Sequence, residues 1–446
     1  MRAVRAHQCS IFDSFSEHDI GQQLAAMSRW LDQHPVVCEW VAEVFHRHAS
    51  PDTGREGLSA EAALRCALLK QYRQLSYEEL AFHLHDSLSF RAFARLPPGL
   101  TPSKSTLQRT ISAIDAHTWE RIQVQLRASA VALAVETGIL LRIDSTVTDA
   151  DIHPPTDSSL LRDAMRVMVR LLRRAEKLPQ APALQWTDHT RRARKRAFAI
   201  AYTRGQQRKR PLYQDLLKVT RATLGYLAAA EARVLDNATP LASAWSADYR
   251  YWRALIEQVI DQTERRVLHG ESVPASDKLV SLFETHTDIV KKRRRDVQYG
   301  HKLNLSTGRS GLILDVVIER GNPADSERFL PMLERHIAHY GKAPRQSAAD
   351  GGYASNDNLL KAKELGVEDV AFHKKGRLTV EAMVKSQWVY RKLRNFRAGI
   401  EAGVSWLKRS YGLDRCSWKG WAHFQAYVWS SVVAFNLALL TRLHPL

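Results

Sequence analysis

Three carboxylates stand where a sheet-based phosphoryl-transfer site would want them. Asp144 lies in the middle of RIDST, inside an apolar run, so its side chain is either buried with a partner or turned into a site. A buried unpaired carboxylate is costly, which calls for a metal or a basic partner. Asp350 closes SAAD just before Gly351-Gly352-Tyr353. Glycines there permit a tight turn and the close approach of a substrate, and ligands gather at strand ends in α/β sheets. Glu401 lies in NFRAGIEAGVSWLKRSYG, a helical pattern that sets Arg397, Glu401 and Lys408 on one face. Three acidic groups together suit divalent metal. Two Mg²⁺ ions roughly 3.5–4 Å apart activate an attacking hydroxyl and stabilise the leaving oxygen of a phosphodiester, and Mg²⁺ prefers hard oxygen ligands. Taken singly, each residue has a plainer reading: an aspartate at a strand end usually forms a turn, and a glutamate four residues after an arginine usually makes a surface ion pair.

Positioning such a trio requires strands and a helix, and the pattern supplies both. After Gly138, Ile139 to Thr148 is a short apolar, β-branched run that reads as a buried strand. Tyr299 to Ser306 and Leu312 to Glu319 read as a hairpin joined by TGRSG. Gln346 to Asp350 and Val367 to His373 are further strands, while Asp325 to Tyr340 and Asn356 to Leu365 look helical. That alternation predicts an α/β fold, a mixed sheet with helices on its faces. The interval of roughly 150 residues between the first strand and the hairpin is too long for a loop. Leu160 to Glu284 is helical in pattern and is expected to be a helical insertion, broken at Asn237 to Pro240 and at Gly270 to Pro274.

The first 120 residues also read as helical. Ser59 precedes one helix, and Ser76 with Glu79 forms an S-x-x-E capping box that opens the next, giving a helix-turn-helix unit. One long helix is expected after Pro102, starting at Ser103-Lys104-Ser105-Thr106, with Lys104 and Arg109 as candidate DNA contacts. A basic helix pair can enter a DNA groove, and a bundle that only packs is equally compatible with the pattern.

Composition narrows the partner. Lys and Arg number 65 against 47 Asp and Glu, a net charge of +18 with a pI near 9.8. Such an excess fits a polyanionic partner, above all nucleic acid. The runs KKRRR (Lys291 to Arg295) and Arg191 to Arg196 fit phosphate contacts, their plainer reading being solvated helix faces. Four scattered cysteines give no disulfide framework or zinc knuckle, and a reducing cytosol is expected. The N-terminus lacks a secretory h-region. Phe424 to Leu440 is apolar but interrupted by Gln425, two serines and Asn436; it reads as a buried helix, the alternative being a membrane span. The C-terminal tryptophans, Trp388, Trp406, Trp418, Trp421 and Trp429, read chiefly as core, with one or two able to stack on an unpaired base.

At this point the chain resembles the DDE transposases of bacterial insertion sequences, most closely the ISNCY type and its relatives with a Tyr-Arg-Glu-Lys signature. The matching strings are RIDSTV around Asp144, DIHPPTDSSLLRDAMRV after it, YGHKLNLSTGRSGLILDVVIERGNPADSERF in the hairpin, ADGGYAS at Asp350 and FRAGIEAGVSWLKRSYGLDR at Glu401. Upstream, LSAEAALRCALLKQYRQLSYEELAFHLHDSLSFRAF with the later STLQR resembles the N-terminal helical domain of such enzymes. The likeness covers nearly the whole chain.

The resemblance implies an RNase H-like catalytic core with Asp144, Asp350 and Glu401 as catalytic metal ligands for two Mg²⁺ or Mn²⁺ ions. Arg397, Glu401 and Lys408 match the last three members of the signature, and Arg394 stands at its tyrosine position, where an arginine can contact phosphate. Asp157 is a further candidate, whereas Asp149 and Asp151 read as turn residues; His301 and Lys302 are expected to face nucleic acid or fringe the sheet. The implied organisation is an N-terminal helical DNA-binding domain (1–135), the first core strand (136–160), the insertion (161–290) and the remainder of the core (291–446). The implied activity is cleavage at terminal inverted repeats and strand transfer into target DNA, by a cytoplasmic homodimer or larger synaptic complex acting on double-stranded DNA without a membrane. The competing readings are a catalytically silent DNA-binding protein and an RNase H-like nuclease that cleaves without joining.

Overall fold

The structure is a computed structural model that describes residues 17–48, 57–97, 99–179, 183–236, 239–293, 296–373 and 377–445. It divides into two compact units, Met1–Asp151 with Gly300–Leu446, and Ile152–Tyr299. The N-terminal helices fall in the first of these units together with most of the sheet.

In the first unit, α1 (Asp19–Gln33), α2 (Val36–His48), α3 (Ala60–Arg73), α4 (Tyr77–Asp86), α5 (Leu88–Phe93), α6 (Lys104–Ile111) and α7 (Ala116–Ala132) precede the sheet. Ser59 caps α3 by accepting from the Ala62 amide, and the Ser76–Glu79 capping box opens α4 as its spacing predicts. The single helix expected after Pro102 is two. Its interruption comes from Asp115, whose carboxylate accepts from the Thr118 amide at 2.8 Å and so starts α7 afresh.

β1 (Leu140–Asp149) is the centre of a six-stranded mixed sheet with β2 (Asp288–Arg293), β3 (Asp296–Thr307), β4 (Ile313–Ile318), β5 (Gln346–Ala349) and β6 (Asp369–Phe372). The order is β2-β3-β1-β5-β6, with β4 also paired to β3. Antiparallel pairing sets Asp144 opposite Leu305, and parallel pairing sets Ile143 beside Ala349. β2 is a strand the sequence reading did not anticipate, because its Lys and Arg residues are depleted in strands and mask its apolar positions. Arg294 and Arg295 of the KKRRR run, and Asn237 and Ala238 of the expected break, lie outside the described residues. One backbone constraint at the end of the β1–β3 pairing is strict. A methyl on Gly300 would collide with the Thr148 carbonyl and the Asp149 backbone.

α12 (Phe329–Tyr340), α13 (Asn356–Glu364), α14 (Val380–Met383), α15 (Gln387–Tyr411) and α16 (Trp421–Leu443) complete this unit. α15 packs on β1, β5 and β6. The apolar C-terminal run forms α16, with 89% of its apolar window buried against α7, α3 and α1. Its polar residues have structural partners. Asn436 accepts from the Ile313 amide at 2.9 Å and donates to the Ile313 carbonyl and to Gln123 at 2.7 and 2.9 Å, which covers the end of β4.

The second unit is a bundle of α8 (Asp157–Ala175), α9 (Thr190–Tyr202), α10 (Gln206–Leu235) and α11 (Pro240–Thr263), followed by a π turn at Glu264–Leu268. Leu160, Leu161, Ala164, Met165, Met168, Leu171 and Leu172 recur at helical spacing and form the buried face of α8.

Replacing Asn436 by leucine leaves both Ile313 backbone groups and Gln123 buried without that partner. Chemical denaturation of the full-length chain should show a loss of about 2–4 kcal/mol, whereas a simple membrane-type apolar helix would be unaffected or stabilised.

Candidate active site

Strand register builds the site. Because Ile143 pairs in parallel with Ala349, the next residue of each chain segment, Asp144 and Asp350, falls at the same level on neighbouring strands, which lie about 4.8 Å apart. Their side chains share one face. The third group comes from the helix packed on β1, β5 and β6: one turn of α15 separates Arg397 from Glu401.

Arg397 is the meeting point. Its guanidinium lies 2.6 Å from Glu401 Oε1, 3.6 Å from Asp144 Oδ2 and 3.9 Å from Asp350 Oδ1. The arginine is buried, Asp144 nearly so, and Glu401 reaches out to solvent. Burial raises the Asp144 carboxyl to about 6; the Ser145 amide and Arg397 oppose the rise, and the charges of Asp350 and Glu401 add to it.

Two supports escaped the sequence reading. Arg142, two residues before Asp144 and on the same face of β1, donates to Thr307 Oγ1 and to the Phe396 carbonyl at 2.6 Å each, and its guanidinium lies 4.7 Å from the centre of the Phe396 ring. It thereby ties β1 to the residue preceding Arg397. A methyl on Gly399 would collide with it, so glycine permits that approach. The sequence signal was a cation alternating with Asp144 inside an apolar strand. The other support is Tyr353, fully buried, which donates to Asn304 Oδ1 at 2.8 Å and anchors the turn after Asp350. Burial raises its phenol well above the ordinary value.

Lys302 lies inside the fold. Its side chain is 9% exposed and lies 2.5 Å from Asp325, with a further bond to the Pro323 carbonyl at 2.8 Å. Asp325 in turn backs Gly352, where a methyl would strike its carboxylate. His301 is likewise internal, edge-on to Trp421 and Phe424. Both residues are covered because β3 is buried on its two faces. Asp157 belongs to the other unit, where Arg266 holds both its oxygens. Lys408 reaches Asp414 at 3.4 Å, in the segment whose backbone pairs with Asp149. Arg394, Lys104 and Arg109 are exposed, Lys104 beside Glu78. Of the tryptophans, Trp418 and Trp429 are buried and Trp388 is 63% exposed.

Residues 281–437 match the family described as Transposase DDE domain, and residues 13–113 match Transposase domain (DUF772). The chain belongs to the DDE transposases of insertion sequences. No curated protein and no solved structure matches it. The transposase is thus a DNA-acting polynucleotidyl transferase, of a family that uses divalent metal ions. The DDE match contains Asp350 and Glu401 and begins beyond Asp144 and most of the insertion.

The donor set suits such a metal. Three hard oxygen donors crowd one buried cation, and burial makes Asp144 less readily ionised than an ordinary carboxyl, which further positive charge nearby would offset. Among the described residues, no three His, Cys, Asp or Glu side chains are arranged to hold an ion as they stand; these carboxylates turn to Arg397 instead.

The raised Asp144 value carries a sign. With the folded-state value near 6 and an ordinary one near 4, the folded chain holds the extra proton in that window, so stability falls as pH rises through it; the full cost above pH 6 is on the order of 2 kcal/mol. In chelator, Asp144→Asn should therefore be more stable than wild type to urea near pH 7, with the advantage fading towards pH 4. An unchanged pH profile in the variant would refute the coupling.

Proposed function

We propose that the transposase cuts DNA at the terminal inverted repeats of its element and joins the freed 3′-hydroxyls to target DNA, with Asp144, Asp350 and Glu401 as the catalytic metal ligands. The observation that carries this reading is the gathering of all three carboxylates around one guanidinium, from two adjacent strands and a helix. Mg²⁺ or Mn²⁺, as a pair of ions, would supply an activated attacking oxygen and neutralise the leaving one. Asp144 presents its oxygens from β1 and Asp350 from the turn directly after β5, which limits the freedom of both. Glu401, on α15 and exposed, closes the set from the solvent side.

Arg397 holds the carboxylates together in the chain as described, and its planar fork suits a phosphate oxygen pair once those carboxylates are otherwise engaged. Arg394, one turn earlier on α15 and exposed, extends that basic face; Lys408, two turns after Glu401, sits at its far end. Lys104 and Arg109 on α6 offer further backbone contacts from the N-terminal helices. The mixed sheet, with two acidic residues level on parallel strands and a helix over them, supports an RNase H-like core. Within the family the ISNCY type is the proposed assignment; Arg394 stands where the signature has tyrosine, so the role of that tyrosine is not carried over. Bringing two element ends together calls for a dimer or larger complex on DNA in the bacterial cytoplasm.

Asp144→Ala, Asp350→Ala and Glu401→Ala should each reduce metal-dependent cleavage of an element-end duplex by about 1000-fold or more, with duplex affinity within a few-fold of wild type. Gel assays of nicking and strand transfer, run beside a binding titration, separate the two effects. Near-normal cleavage in any variant removes that residue from the set, and cleavage without joined products in wild type would reduce the enzyme to a nuclease.

A further inference from the structure

The helical unit contains a cavity of about 190 Å³ whose lining is drawn from the start of α8, the end of α11, the segment Ala275–Val280 and the strands β2 and β3. Three lining side chains are cationic, Arg266, Lys278 and Lys291, and among the lining residues only Asp157 is acidic. Arg266 Nη1 donates to both oxygens of Asp157, at 2.8 and 2.9 Å, and the same carboxylate also favours the charge of nearby Lys278; three cations thus share one acid at the cavity, with Lys291 at its exposed side. Lys278 is half-buried, and its ammonium is made easier to deprotonate first by burial and then by the nearby charges of Arg266 and Lys291. Like charges brought together in a concave, partly dry space are unfavourable unless an anion completes them. Tyr299 also lines the space, and its phenol can donate to oxygen, whereas the Thr156 hydroxyl is engaged with Ser159 at the start of α8.

We propose that this cavity binds a phosphate group of the DNA backbone, so that the helical insertion holds the duplex at a fixed point by Lys278 and Lys291. The volume admits one phosphate with its ester oxygens and excludes a base pair. Tetrahedral oxyanion chemistry matches the two ammonium groups and the flanking phenol, and the net charge of +18 supplies the attraction that brings a duplex to the surface. The assignment to DNA rests on the transposase reading; the charge arrangement does not.

The test uses the full-length chain and its Lys278→Gln/Lys291→Gln double variant. Inorganic phosphate, compared with chloride at matched ionic strength, should raise the Tm of wild type and leave that of the double variant unmoved. In a salt titration of duplex binding, the log–log slope of the variant should be shallower by about 1 for each DNA phosphate that the lysines neutralise in wild type. Lys278→Arg/Lys291→Arg, which keeps the charges, should retain both responses. A Tm response without a change of slope would make this a site for free phosphate or for an acidic group of a protein partner, and would overturn the assignment to DNA. A slope that changes without a Tm response would reduce the lysines to diffuse surface charge and overturn the cavity as the site. A wild-type chain that binds phosphate but no duplex would sink the transposase reading instead.

Discussion

The parallel register of β1 against β5 is the constraint on which the rest depends. Ile143 beside Ala349 forces Asp144 and Asp350 to the same level and the same face, so two carboxylates that would repel each other are held close by backbone hydrogen bonds that neither side chain controls. A slip of one residue would turn one aspartate to the opposite face. The sheet therefore sets a charge problem, and α15 answers it with Arg397 and, one turn on, Glu401.

Much of the surrounding chemistry serves to keep that arrangement from relaxing. Arg142 fastens β1 to the backbone of α15, Tyr353 fixes the turn that follows Asp350, and the Lys302–Asp325 pair packs behind Gly352. None of these side chains needs to touch substrate. Each removes a way for the carboxylates to move apart, which is how a site rich in like charge stays assembled although burial raises its Asp144 carboxyl to about 6.

The elements were legible where local pattern and tertiary environment agree. β1 appears within one residue of its expected span, and the capping box at Ser76 opens α4 where its spacing puts it, because both signals are local. β2 was hidden, since its packing overrides the poor strand preference of its lysines and arginine. The break before α7 needed the side-chain geometry of Asp115. For the site, the three carboxylates were visible as residues in a strand, at a strand end and on a helix. Their convergence on Arg397 was not, because an i,i+4 arginine and glutamate look the same on an exposed helix as over a sheet. The burial of Lys302 is not legible in the sequence for a related reason: its partner, Asp325, is distant in sequence, and a buried lysine betrays itself only through that partner.

The pairing of Asp149 with Gly300 has a topological meaning. The chain leaves β1 at Asp149 and Gly300 of β3 stands opposite it, so most of what lies between is a side branch whose two roots are adjacent, its last part rejoining the sheet as β2 and the first residues of β3. Closing a branch of this length costs little more entropy than closing a shorter one, since the penalty grows only with the logarithm of its length. The same geometry leaves the size of the branch free to change without disturbing the strands that carry Asp144, provided residue 300 keeps no side chain.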